Sequence, residues 1–487
     1  MRCYPSGERL MKISRTDSPK YYRNRAPEID NNPLLAHLQL PPETDKDAVK
    51  ALALPLHVSE ADRALPSSIR RIRVTQLARD FFVPSRPEHR RAMLGITTQL
   101  FSGYLNRNPL TAMGQRILLG GTSAGTSMIS LVAGHSGMGK STLIRRILDY
   151  LGNQVCQHQN FHDTPFPETQ ILWLRRNVPE HCTVGSLCAK FGDLTDQVLG
   201  APLYTSLFER MRGQNRHLFL AEIRRIITAH HVGLLVLDEF QNLSLMGVGA
   251  KKIISLLINL RDELGLPIVI VGTYKALRLL QGDLSIARRL VEGGYYDLER
   301  PTTSDEAGWH QLCEIAWGLQ WVRKPIVHYD HLIGEALYEV SQGINAIMIN
   351  VLMTAQQAAM ETGAERVDAD SIIRTFNERM RPLHPAISIL KSGNQRLMEQ
   401  FDDMFQNLYP TSGTPSDLNL QKKLDNRQTT SEDPERVAAS ATKAQKRPAT
   451  STKVQPAKPT AILSEEQIRR ITLADSSADL LKVLGTS

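Results

Sequence analysis

Cysteine is scarce in this chain. Five occur in 487 residues, Cys3, Cys156, Cys182, Cys188 and Cys313, and no two stand at the short paired spacing of a zinc or redox motif, so neither a zinc module nor a disulfide framework is supported. Long apolar runs are missing too, since nothing approaches the roughly 18 residues that a membrane span needs. The N-terminus lacks the apolar core of a secretory signal, and Glu8, Asp17 and Glu28 argue against a transit peptide despite scattered arginines. These absences leave no membrane partner and point to a reducing cytoplasm. What remains is ordinary globular composition, 41% hydrophobic and 22% charged, with length for two or three domains. The net charge of +8 suggests a polyanionic partner, because net charge governs association rather than fold.

The stretch GHSGMGKST, Gly134 to Thr142, follows an apolar, β-branched run and leads into LIRRILDYL. Its spacing is G-x-x-x-x-G-K-S, in which glycines let a loop fold so tightly that successive backbone N–H groups converge on phosphate oxygens. The helix behind it adds its positive N-terminal end. Gly134, His135, Ser136, Gly137, Met138, Gly139, Lys140, Ser141 and Thr142 are therefore the expected phosphate cradle for ATP, with Lys140 reaching the outer phosphates. The Ser141 hydroxyl is the expected magnesium ligand.

A hundred residues on, GLLVLDEFQNL is a buried-type strand ending in adjacent acids. Asp238 is placed on the Mg2+ side, at the C-terminal edge of a parallel strand. Glu239 points elsewhere and suits a general base for water. A third strand, LPIVIVGTYKA, ends in Gly272-Thr273; the Thr273 hydroxyl either contacts the γ-phosphate or its attacking water, or caps the helix starting near Tyr274. Arg288 and Arg289 lie on a short helix before a further strand, the position from which an arginine projects into a neighbouring subunit's site, with a solvated helix face as the alternative.

The arginines are clustered. Arg70, Arg71, Arg73, Arg79, Arg86, Arg90 and Arg91 fall within one stretch with Phe81 and Phe82 between them, and Arg175 and Arg176 end the strand ILWLRRNV. The latter pair, on the sheet edge shared with the nucleotide, is the preferred DNA-binding candidate; the former is the second choice for the DNA surface, with protein contacts or a solvated helix face as its alternatives. QHQNFHD, around His158 and His162, reads as a polar loop rather than a metal site.

Along the chain, residues 1–65 are rich in Pro and turn residues and read as an adaptor arm, followed by a helical lead-in over 66–126. Residues 127–300 alternate strand and helix, an α/β core with a parallel sheet flanked by helices; 301–390 carry apolar spacings of three and four, an all-α lid. A helical extension and disordered linker are expected over 391–459, where Ser, Thr, Pro, Gln and Lys accumulate, and a docking segment over 460–487.

GHSGMGKST, GLLVLDEFQNL, IVIVGTYKA and SIARR, followed by SQGINAI and RPLHPAISILKSG, closely resemble the TnsC family, the AAA+ regulators of Tn-seven-like transposons, over roughly residues 75 to 395. The nucleotide motifs alone point to a P-loop AAA+ domain; the two lid segments carry the finer resemblance. It implies a bacterial ATPase that assembles as a homo-oligomeric ring or filament on double-stranded DNA. It also implies partners of two kinds, a target selector of the TniQ/TnsD type and transposase subunits of the TnsA and TnsB type, with hydrolysis driving disassembly. SQGINA departs from many AAA+ lids in offering no sensor arginine to the γ-phosphate. Two other readings share the core: a helicase-loader or replication-initiator ATPase, and a nucleotide-gated signalling scaffold that does not bind DNA.

Overall fold

The computed structural model of the protein describes residues 19–394 and 397, apart from 55, 120, 122–126, 181–183, 212–215, 244–247 and 279–283. The expected disordered linker and docking segment lie outside the described residues. Among the described residues the strands are β1 (Ile129–Gly134), β2 (Val155–Gln157), β3 (Asn160–Phe161), β4 (Thr164–Pro165), β5 (Thr169–Ile171), β6 (Trp173–Asn177), β7 (Leu234–Asp238), β8 (Ile268–Val271) and β9 (Tyr295–Leu298). Five of them make one parallel sheet in the order β6-β7-β8-β1-β9. The phosphate loop thus leaves a strand, β1, that has neighbours on both sides, with the acid-bearing β7 two places away.

Side chains alternate across this sheet as the two-residue period requires. Val132, Leu234, Val236 and Val269 face one layer, built from the helices Pro87–Leu105 and Lys140–Leu151 with Met93, Ile96, Leu143 and Ile147. Ile129, Leu131, Leu235, Leu237 and Ile268 face the other, where Phe208, Ile223, Ile227 and Leu257 lie on helices between β6 and β8. Burial on both faces explains why these strands read as continuous apolar runs.

Two small antiparallel pairs, β2 with β5 and β3 with β4, interrupt the expected simple alternation after the first helix. QHQNFHD runs through them rather than through a polar loop: His158 is buried, and its Nδ1 bonds the Tyr21 hydroxyl at 2.8 Å.

The N-terminal segment also differs from expectation. From residue 19 onward it is packed, with Leu34, Leu35, Ala36, Leu38, Ala48 and Leu52 buried in the first layer. Asn32 fixes the turn that presents them, donating to the Tyr104 carbonyl at 2.9 Å and accepting from the Leu34 N–H at 3.0 Å. A non-periodic turn exposes no regular apolar stripe to sequence reading, yet its leucines bury apolar surface as well as any helix does.

Past β9 the chain is helical, as expected. Helices Ala307–Trp317, His331–Ser341, Asn345–Glu361, Ala369–Arg379 and His384–Ser392 pack around Trp309, Trp317 and Trp321, all three fully buried. Asp330 and Asp368 cap two of these helices through their side chains. Among the described residues no helix is long and apolar enough to cross a membrane.

Candidate nucleotide site

The loop after β1 is shaped by close approach. A Cβ at position 134 would stand 2.6 Å from the Leu298 carbonyl oxygen of β9, and Gly137, at φ +81°, lies against Ile344 and Ala346 of the helical domain. Neither position accepts a larger residue without displacing its neighbour. Helix Lys140–Leu151 begins directly at the lysine. The Lys140 ammonium donates to the Gly134 and His135 carbonyls at 2.8 and 2.7 Å, which curls the loop around it. Burial, then Arg300 and Lys140, push the His135 imidazole down to about 4, so it is neutral at pH 7 as it meets Tyr274 edge-on.

A cavity of about 440 Å³ opens above this loop. Its polar lining is the loop itself, Ser136, Gly137, Gly139, Lys140, Ser141 and Thr142, together with Glu239 and Thr273. Its apolar lining is Leu77, Phe81, Phe82 and Val83 with Leu312 and Ile349 of the helical domain, which also brings Asn345 and Asn350. An apolar slot beside converging phosphate donors is the division that a nucleoside triphosphate presents. Sequence reading missed the apolar half, because it is assembled from segments more than 200 residues apart.

Asp238 and Glu239 diverge as expected. Asp238 is 2% exposed; its Oδ1 accepts the Glu239 N–H at 3.0 Å and its Oδ2 accepts from Arg175 Nη2 at 2.7 Å. Glu239 adopts the left-handed conformation at φ +55°; it lines the cavity, and its carboxylate accepts from Gln241 Nε2. Thr273 is 8% exposed and its Oγ1 is buried without a hydrogen-bond partner. It therefore does not cap the helix Tyr274–Arg278; a buried, unpaired hydroxyl lining the cavity is instead a group with spare capacity for a ligand. The glycine cradle, Lys140 and this orphaned hydroxyl fit ATP, and Ser141 with Asp238 supplies the hard oxygen donors that Mg2+ prefers.

The helical domain closes over the loop. The Ala346 N–H donates to the Gly137 carbonyl at 2.9 Å and Asn345 Nδ2 to the Met138 carbonyl at 3.4 Å. Both residues belong to SQGINA, so the segment without an arginine touches the phosphate loop directly.

The remaining candidates are not gathered here. Arg289 pairs with Asp262 at 3.4 Å, whereas Arg288 is exposed on the helix Leu284–Leu290, away from the cavity of its own chain. Arg175, preferred above for DNA, turns inward to Asp238, and Arg176 lies 4.0 Å from Asp193. Every arginine of the 70–91 cluster faces an acid of the same chain: Arg70 with Glu365, Arg71 with Glu361, Arg73 with Asp62, Arg79 with Asp80, Arg86 with Glu306, Arg90 with Asp45 and Arg91 with Glu88. Arg70 alone is fully buried, and it also donates to the Leu65 and Trp321 carbonyls, tying the segment before the cavity wall to the helical domain. Glu365, Glu361 and Glu306 are remote in sequence, so a basic stretch read alone looks more available than it is.

The ligand atoms of His37, Cys156 and His158 lie within 4.8 Å of one another. Both imidazole Nε2 atoms bond the Gln170 Oε1, at 2.8 and 2.9 Å, which satisfies them as a hydrogen-bonded clip for the N-terminal segment.

Residues 124–280 match the family model described as an AAA domain. Among solved structures, the chain is similar to Cdc6p from Pyrobaculum aerophilum, 19% identical with a TM-score of 0.41 over 62% of this chain and 70% of that one. It is similar also to the ORC2 protein of Aeropyrum pernix, 15% identical with a TM-score of 0.37 over 62% and 71%. RuvB of Thermotoga maritima, a Holliday junction branch migration motor, is 17% identical with a TM-score of 0.31 over 55% and 65%. No curated protein matches the sequence. The five-stranded parallel sheet, its flanking helices and the helical C-terminal part are those of an AAA+ domain.

Proposed function

We propose that this chain is an ATP hydrolase that assembles with copies of itself on duplex DNA and regulates transposition, joining a target selector to a transposase. The observation that carries the hydrolase reading is the single cavity where the phosphate loop, Glu239 and the unpaired Thr273 hydroxyl meet. Lys140 holds the outer phosphates; Glu239 takes the proton of a water whose oxygen bonds the γ-phosphorus as the bond to the bridging oxygen breaks, releasing ADP and phosphate. Magnesium, when bound through Ser141 and Asp238, offsets phosphate charge. Arg288, exposed and unengaged by the cavity of its own chain, is the finger supplied to a neighbouring subunit, which makes turnover depend on assembly. ATP held between subunits favours the assembled state and its loss favours the separate one, a difference in stability that is all a switch requires. The transposition reading rests on the resemblance of the SQGINAI and RPLHPAISILKSG segments.

One observation favours a second reading, nucleotide-gated assembly through protein contacts without DNA: the arginines of both basic stretches face acids of their own chain. Filter binding to random duplex DNA, with and without a slowly hydrolysed ATP analogue, decides between them. For the chemistry, Lys140→Ala is expected to abolish nucleotide binding while Glu239→Gln binds and traps ATP. Parental turnover by Glu239→Gln refutes the assignment of the base.

A further inference from the structure

Gln241 sits on the one-turn helix Phe240–Asn242 that follows the acidic pair. Its amide spans two strands' ends: Nε2 donates to Glu239 Oε2, and Oε1 accepts the Thr273 backbone N–H at 3.0 Å. The assignment of the two amide atoms is forced, because one partner is a carboxylate that only accepts and the other an N–H that only donates. Room for this crossing comes from Gly272, where a Cβ would stand 3.0 Å from Gln241 Oε1.

We propose that Gln241 is the positioning residue for the catalytic base, acting through Glu239 and tying it to the end of β8. The proposal rests on the hydrolase reading above. Glu239 stands in a left-handed conformation at φ +55°, so local backbone preference does not hold its carboxylate in place. A side chain bridging to the next strand does. The same bridge registers displacement of the Thr273 peptide, from which the chain continues to the short helix carrying Arg288.

The test uses the full chain with Mg–ATP, with and without duplex DNA, and compares the parent with Gln241→Met, Gln241→Glu, Gly272→Ala and Glu239→Gln. Gln241→Met keeps length and loses both bonds; Gln241→Glu keeps only the acceptor. Gly272→Ala leaves the amide unaltered but presses on it at 3.0 Å and on Ala276 Cβ at 2.9 Å. Loss of a bond to a charged group predicts a kcat lower by about 10- to 100-fold in the two Gln241 variants, with KM for ATP and the affinity for a fluorescent ATP analogue within about twofold of the parent. Gly272→Ala is expected to fall in the same direction. The decisive arm is single-turnover hydrolysis in the Glu239→Gln background, where adding Gln241→Met is expected to cost less than about twofold, since residues acting as a unit are not additive. An equal loss in both backgrounds, or a change mainly in KM, overturns the positioning role while leaving the hydrolase reading intact. Absence of hydrolysis by the parent overturns both.

Discussion

Replacing Thr273 by Val separates what the hydroxyl does for the fold from what it does for the reaction. Valine keeps the β-branched shape, and the Thr273 backbone N–H retains its bond to Gln241. Only Oγ1 is lost, an atom that is buried and has no hydrogen-bond partner. Burying an unpaired hydroxyl costs about 1–3 kcal/mol, so its removal is expected to leave the nucleotide-free protein as stable as the parent or about 1 kcal/mol more stable, a rise in Tm of about 1 °C for a folded part of this size. If the hydroxyl meets the γ-phosphate or the attacking water, the variant loses a hydrogen bond to a charged or reacting group, about 1.5–3 kcal/mol. At about 1.4 kcal/mol per factor of ten, kcat falls by about 10- to 150-fold. Thermal melts without nucleotide and steady-state hydrolysis at saturating Mg–ATP read the two effects separately. A protein that melts lower yet turns over at the parental rate refutes the reasoning, for the hydroxyl would then be structural.

Arg288→Ala is expected to bind ATP, to lose hydrolysis and to regain part of it on mixing with Lys140→Ala, which places an intact arginine against an intact pocket; no rescue where mixed oligomers demonstrably form counts against action in trans. Arg175→Ala leaves the buried Asp238 carboxylate without its guanidinium, a loss of about 3–5 kcal/mol in the nucleotide-free protein, while the dependence of DNA affinity on salt stays parental. A log–log slope flatter by roughly 0.9 in Arg175→Ala would instead place that arginine on a phosphate. His89 and His158 are each 1% exposed, and burial pushes them down to about 3 and about 4 from 6.5. The unfolded chain binds more protons in that window, so their contribution is intact above pH 6.5 and erodes as pH falls, by about 2 kcal/mol each at pH 5. Urea midpoints that stay constant from pH 8 to pH 5 contradict this.

The phosphate loop, the acidic pair and the sheet core were legible because their determinants are local. A loop that must bend at Gly134, Gly137 and Gly139 and then start a helix at Lys140 writes its backbone requirements into nine consecutive residues, and strands buried on both faces write theirs as apolar runs. The helical domain was legible for the same reason, through spacings of three and four. Tertiary structure decided the rest. The leucines after Asn32 look like part of an adaptor arm because no period relates them, and only the helices they meet make them core. Arginine 70 and Glu365 are 295 residues apart, as invisible to each other in the sequence as Ala346 is to Gly137 or Gln241 to Thr273. Residue type announces which groups carry charge or donate hydrogen bonds. Whether a charge is free for a partner, or a hydroxyl is left without one, depends on which distant segment lies beside it once apolar burial has folded the chain, and that is a property of the packing.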